Sequence, residues 1–203
     1  MKIKKKDFVE LDYDAKTAEG ELFDSTKQKL SEEQDVKPMK ICVGRGHLIK
    51  GLDAKLEGLE IGKHEVKLSA EEAFGKKDSK KLKLMPMKLF KKQGINPYPG
   101  LQLNIDQALG TVRSVSGGRV IMDFNHPLAG KDVVYELDIK RKIESEKEKT
   151  EAILELLNFS YEDLTISDKI QIKVKSDVPD QYQKLINAEI KETIGKETEI
   201  KKQ

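Results

Sequence analysis

Hydrophobic and polar positions alternate from Phe8 to Lys16. Val9, Leu11, Tyr13 and Ala15 fall on one face and Glu10, Asp12, Asp14 and Lys16 on the other, which predicts a half-buried strand. Thr17-Ala18-Glu19-Gly20 has hairpin-turn chemistry, and Glu21–Ser25 resumes an extended run that brings Phe23 and Asp24 back beside Tyr13. A buried Asp24 needs a donor, so a Tyr13–Asp24 pairing is expected. The period changes after Gly46, where Leu48, Ile49, Leu52, Leu56 and Leu59 recur at helical spacing with Lys50, Asp53, Lys55 and Glu57 on the other face. Gly58 and Gly62 mark the end of that helix, and His64, Val66 and Leu68 return to strand alternation. A lone amphipathic helix among strands must bury its stripe against a sheet. The fold class predicted is therefore α+β, an antiparallel sheet curved around one short helix with an apolar hollow lined by Leu48, Ile49 and Leu52. Periodicity by itself favours ordinary core for these three.

Residues 26–37 are polar and read as a surface loop. Near Asp78 the composition turns charged, and a run through Leu82, Leu84 and Met85-Pro86-Met87 to Leu89 and Phe90 follows, which its proline demotes to an edge strand or bulge. Leu101, Leu103 and Ile105 alternate after the turn-rich 94–100, and Ser116-Gly117-Gly118 reads as a hairpin tip, so 78–125 is expected to be a small all-β module. Val133, Tyr135, Leu137 and Ile139 alternate again and close the first sheet, which makes that module an insertion in a surface loop. Beyond Ile143 a charged stretch leads to Ile153, Leu154, Leu156 and Leu157 at helical spacing. Next come a strand through Ile170, Ile172 and Val174, a helix opened by Asp177-Val178-Pro179, and a last strand in KETEIKK. The expected domains are 1–77 with 126–145, the insert 78–125, and a small α/β unit 146–203. That last unit carries more aliphatic surface than one short strand covers, so a homodimer through it is expected, with tight docking on the first domain the least favoured outcome.

Charge and composition narrow the function. Lys+Arg at 38 nearly cancels Asp+Glu at 36, which leaves no basic excess to drive nucleic-acid binding. A single cysteine, Cys42, excludes an internal disulfide or multi-cysteine metal site and reads as a buried apolar residue. No apolar run approaches the ~18 residues of a membrane span and no secretory signal opens the chain, so a cytoplasmic protein without membrane partners is expected. His47, His64 and His126 are dispersed, which argues against a metal role.

The order P-M-K-I-x-V-G, G-H-L-I-K-G-L and E-E-A-F-G, preceded by G-E-L-F-D-S and followed by D-F-N-H-P-L-A-G, resembles the FKBP-type peptidyl-prolyl isomerases of the SlyD-like branch. The resemblance covers 1 to about 145 with good motifs. It implies an insert-in-flap domain at 78–125, and long archaeal members carry an extra C-terminal domain as this chain does. It also implies a pocket of Tyr13, Phe23, Asp24, Met39, Leu48, Ile49, Leu52, Phe74 and Tyr135, with the Ile49 N–H offered to a substrate carbonyl and Leu52 as the floor. Phe74 stands where many members have Tyr, and Tyr135 where Phe is common.

Twisting an X–Pro bond makes and breaks no covalent bond, so the implied isomerase needs no nucleophile, cofactor or metal, only an apolar cleft that favours the twisted amide. The expected partners are unfolded or proline-containing polypeptides. Leu84, Met85, Met87, Leu89 and Phe90 of the insert are the candidate client-binding residues, since flexible methionines adapt to many partners. The rival reading is a non-catalytic holdase gripping apolar peptide in the same cleft.

Overall fold

The structure, a computed structural model, describes residues 2–32 and 36–202. Part of the expected 26–37 loop, at 33–35, lies outside the described residues. In chain order the first elements are β1 (Phe8–Thr17), β2 (Leu22–Ser25), β3 (Met39–Cys42), α1 (Lys50–Leu56) and β4 (Gly62–Leu68). Next come β5 (Leu82–Pro86), α2 (Met87–Lys92), β6 (Gln102–Ile105), β7 (Ala108–Ser116) and β8 (Arg119–Asp123). The last are β9 (Val133–Ile143), α3 (Glu146–Leu156), β10 (Asp163–Ile166), β11 (Ile170–Val174), α4 (Asp180–Thr193) and β12 (Thr198–Lys202). The chain divides into two compact units, Met1–Leu68 with Asp132–Gln203, and Ser69–Lys131.

In the first unit, β1 is the spine because its alternation buries one whole face. Val9, Leu11 and Ala15 are fully buried and Tyr13 nearly so. Antiparallel β9 lies along one edge of β1, with β4 beyond it. The other edge is shared end to end, β3 pairing Phe8–Leu11 and β2 pairing Asp14–Lys16. Leu52 and Leu56 of α1 are fully buried, as their spacing predicts. The helix is shorter than its apolar stripe, since Leu48 and Ile49 precede it. Asp53, expected on the polar face, is instead buried.

The C-terminal segment builds a three-stranded sheet, β10–β11 antiparallel and β11–β12 parallel, with α3 and α4 packed on it. Its core is continuous with the first sheet. Phe8, Cys42 and Ile143 share one cluster with Ile153, Leu154, Ile172, Ile186 and Ile190. The expectation that docking on the first domain is the least favoured outcome is therefore corrected. Phe8, Cys42 and Ile143 cover the aliphatic faces of α3 and α4, so the core of the C-terminal segment is finished within the chain and no longer calls for a second copy. The charged SEKEKTE stretch is the start of α3, capped where the Ser145 hydroxyl accepts the Glu148 N–H.

The second unit holds a four-stranded antiparallel sheet in the order β5-β8-β7-β6. Gly117 and Gly118, at φ 55° and 73°, make the two-residue turn between β7 and β8. β5 is an edge strand, as its proline requires. The unit is not all-β, however. Pro86 ends β5 and opens α2, because proline lacks the N–H that a first helical turn leaves unused, and Gly94 at φ 70° closes that helix. Phe90 on α2 is 3% exposed and forms the unit's core with Val112, Val120 and Met122.

Candidate active site

Strand register assembles the aromatic cluster. Ala15 pairs with Tyr135 on β9 and with Asp24 on β2, which makes both partners diagonal neighbours of Tyr13 on the buried face. The Tyr13 hydroxyl donates to Asp24 Oδ2 at 2.7 Å, the pairing expected from sequence, and Asp24 Oδ1 accepts the Ser25 N–H at 2.9 Å. Ring centroids of Tyr13 and Tyr135 lie 5.7 Å apart, and Phe23 meets Tyr135 edge-on at 6.2 Å, both in the favourable range for aromatic pairs. Burial, reinforced by the Asp24 carboxylate, pushes the Tyr13 phenol far above its ordinary range, so it stays a proton donor. Burial first, and Asp24 second, push Tyr135 up to about 12.

A second set of groups is placed by the glycine turn before α1. Gly44 and Gly46 adopt left-handed backbone, φ 80° and 75°, and both donate their N–H groups at 2.8 Å to the carboxylate of Asp53. One buried carboxylate thus folds the turn back onto the helix that follows it. Ile49 sits at the N-cap with no side-chain cap, and its N–H lies outside the intrahelical ladder. Without Ser, Thr, Asp or Asn at that position, no side chain of the N-cap residue accepts from the first turn of α1. Leu48 and Ile49 are half-exposed, whereas Leu52 is wholly buried beneath them on the helix.

A hollow of about 460 Å³ opens beside the Tyr13–Asp24 pair and is lined further by Ser25, Thr26, Met39 and Lys40. Its remaining lining was not foreseen: Lys37 and Pro38 before β3, and Glu155, Leu156 and Asn158 from the end of α3. No sequence signal links the last three to Tyr13, because they lie over 130 positions away in a segment outside the recognised motifs. Phe74 belongs to the second unit, where its ring stacks on His126 at 4.6 Å and 2° between planes.

Of the insert residues singled out from sequence, Leu84 and Leu89 are exposed at 59% and 46% and Met85 and Met87 are half-buried. Phe90 is corrected to a core role. A helix turn points it inward where a continued strand would have left it at the edge.

Comparison with known proteins fits this geometry. The family model described as FKBP-type peptidyl-prolyl cis-trans isomerase matches residues 1–91, and the one described as FKBP26, IF domain, matches 83–128. The probable FKBP-type 16 kDa peptidyl-prolyl cis-trans isomerase of Pseudomonas fluorescens is 30% identical over 137 residues, 64% of this chain and 85% of that protein. The chain belongs to the FKBP-type peptidyl-prolyl cis-trans isomerase family. Similar FKBP-type relatives include the short-type peptidyl-prolyl cis-trans isomerase of Methanocaldococcus jannaschii, 26% identical over 68% of this chain and 92% of that protein. The SlyD isomerase of Escherichia coli is 29% identical over 68% of this chain and 69% of that protein, which makes this FKBP-type chain SlyD-like.

Two further features bear on the chemistry available to this chain. Cys42 is fully buried, and burial pushes its thiol up to about 11, so it is inert at neutral pH. Among the described residues no helix is long and apolar enough to cross a membrane, and no group of three or more His, Cys, Asp or Glu could hold a metal ion.

Proposed function

We propose that this isomerase twists X–Pro bonds of unfolded or partly folded polypeptides in the cleft around Tyr13, Phe23, Asp24 and Tyr135, with Met39 and the α1 start, Leu48, Ile49 and Leu52, completing it. The uncatalysed exchange takes tens to hundreds of seconds, because the C–N bond must lose its partial double-bond character. An apolar cleft disfavours the charge-separated planar amide relative to the twisted one, and preorganised groups hold the twisted form. The observation that carries the reading is the Asp24 carboxylate fixed at 2.7 Å from the Tyr13 hydroxyl at the lip of an otherwise aromatic cluster. Such a fixed dipole costs no reorganisation when the amide turns, and the Ile49 N–H supplies a donor for the substrate carbonyl.

The insert serves as a client-binding surface in this reading, through Leu84, Leu89 and the adaptable Met85 and Met87. Two exposed leucines beside two half-buried methionines support it. The same observation favours a second reading, a holdase role for the insert alongside catalysis. The cytoplasm, where clients are newly made, is the site of action proposed. The direct test is cis/trans exchange of a short Ala-Pro peptide followed by NMR. Exchange broadening at catalytic amounts of protein, reduced by Asp24→Ala, is expected, and parent-like exchange in that variant would place the cleft elsewhere.

A further inference from the structure

The C-terminal segment reaches the candidate active site. Helix α3 stops beside it, since Asn158 takes left-handed backbone at φ 51° and Phe159 donates its N–H back to the Leu154 carbonyl at 2.8 Å. The end of that helix, Glu155, Leu156 and Asn158, lines the same hollow as Tyr13, Asp24 and Met39. Met39 and Leu156 also line a neighbouring hollow of about 430 Å³ with Arg45, His47 and Glu189.

This wall is firmly held. Arg45 forks onto Glu189, Nη2 to Oε2 at 2.6 Å and Nε to Oε1 at 3.0 Å, and its Nη1 reaches Glu192. Side chains of Arg45 and Glu189 are only 24% and 18% exposed, so the pair is shielded from solvent screening. Lys37 pairs with Glu155 at the rim of the first hollow. Beneath them, Phe8, Cys42 and Ile143 share the core of α3 and α4.

We propose that the C-terminal unit completes the substrate groove. An extended polypeptide whose X–Pro bond lies at Tyr13 and Asp24 lays a flanking apolar side chain against Met39 and Leu156, beside the Lys37–Glu155 ion pair at the rim. The inference rests on the active-site reading above, because continuity with Tyr13 and Asp24 is what makes a polypeptide the occupant. An apolar floor under a charged rim suits a chain that carries both backbone and side chain. A methionine in that floor accepts aliphatic or aromatic side chains rather than one shape. Substrates too short to extend past the proline do not reach Leu156, so the C-terminal unit acts on chain-like substrates selectively.

The test compares full-length parent and Leu156→Ser on two blocked peptides, Leu-Ala-Pro-Leu and Gly-Ala-Pro-Gly. The ratio of their kcat/KM values should fall about fivefold in the variant, chiefly through KM, because lost apolar burial weakens ground-state and transition-state binding alike. An unchanged ratio, with Asp24→Ala slowing both peptides, overturns the subsite and leaves the active site standing. Asp24→Ala slowing neither would overturn the active-site reading and this inference with it. Should Leu156→Ser fail to fold, Glu155→Lys on the half-exposed rim decides. It replaces a rim carboxylate by a lysine beside Lys37 and Lys40, and the preference for Glu-flanked over Lys-flanked peptide should rise about threefold at low salt, an unchanged preference overturning the proposal.

Discussion

Asp53 Oδ2 accepts the Gly46 N–H at 2.8 Å, and its Oδ1 accepts the Gly44 N–H at the same distance. The carboxylate is buried while Gly44 and Gly46 are exposed, so truncating it loses two charge-assisted hydrogen bonds whose N–H groups water takes up only in part. Asp53→Ala should lower unfolding stability by roughly 2–4 kcal/mol, and Asp53→Asn by less because its carbonyl oxygen keeps one of the two bonds. Urea unfolding measures both. Activity of the folded Asp53→Ala protein should also drop, since the turn that presents Leu48 and Ile49 loosens.

The Tyr13 ring is buried, and its hydroxyl meets Asp24 where the hollow opens. Asp24 is half-exposed, so Asp24→Ala should leave the melting temperature close to the parent's. Loss of one hydrogen bond to a charged group, about 1.5–3 kcal/mol, corresponds to roughly 10- to 150-fold in kcat/KM for Tyr13→Phe or Asp24→Ala on a proline peptide. Parent-like kinetics in both variants would remove this pair from the mechanism.

His47 makes the fold sensitive to mild acid. Its Nδ1 accepts the Cys42 N–H at 3.1 Å, which only the neutral ring can do. Burial holds its pKa below the ordinary 6.5, although Glu189 and Asp53 face it and pull the other way, with Arg45 siding with burial. The unfolded chain therefore takes up the proton first. Stability should be unaffected above 6.5 and should fall as pH drops from there toward the lower folded-state value. His47→Gln, which keeps an acceptor without titrating, should flatten that slope in urea unfolding between pH 7 and 5. A parent curve as flat as the variant's would refute the assignment.

The insert separates two kinds of substrate. Replacing 78–125 by a short loop should preserve turnover of a proline tetrapeptide but slow catalysis on an unfolded protein by about 10²-fold, the scale of a lost linked binding surface. Leu84→Ser with Leu89→Ser should reproduce part of that loss without unfolding, as both leucines are exposed. Phe90→Ala should instead destabilise the unit, because Phe90 is buried in its core.

Much of the first sheet was legible because β1 buries one face along its length and β9 does so from Val133 to Ile139, so a period of two survives in Val9, Leu11 and Tyr13 and in Val133, Tyr135 and Leu137. The Tyr13–Asp24 contact followed from the same register logic. The burial of Asp53 was hidden, since its partners are backbone N–H groups seven and nine residues earlier that carry no side-chain pattern. Helix α2 was missed although Pro86 and Gly94 bracket it, because Leu82–Pro86 reads as a strand and only one turn and a half follows. β10 escaped notice as a run of four residues with a single buried position, Leu164. The wall from α3 was invisible in principle: nothing in Phe8, Cys42 or Ile143 distinguishes a residue that covers its own sheet from one that docks a distant helix.

The central claim is catalysis of X–Pro isomerisation in polypeptides, and proline-limited refolding of an unfolded protein tests it most directly. At one molecule of this chain per hundred of substrate, the slow refolding phase should accelerate in proportion to the chain added, with Asp24→Ala markedly less active. A slow phase whose rate stays at the uncatalysed value, with aggregation merely delayed and only at stoichiometric amounts, would contradict the account and leave a holdase.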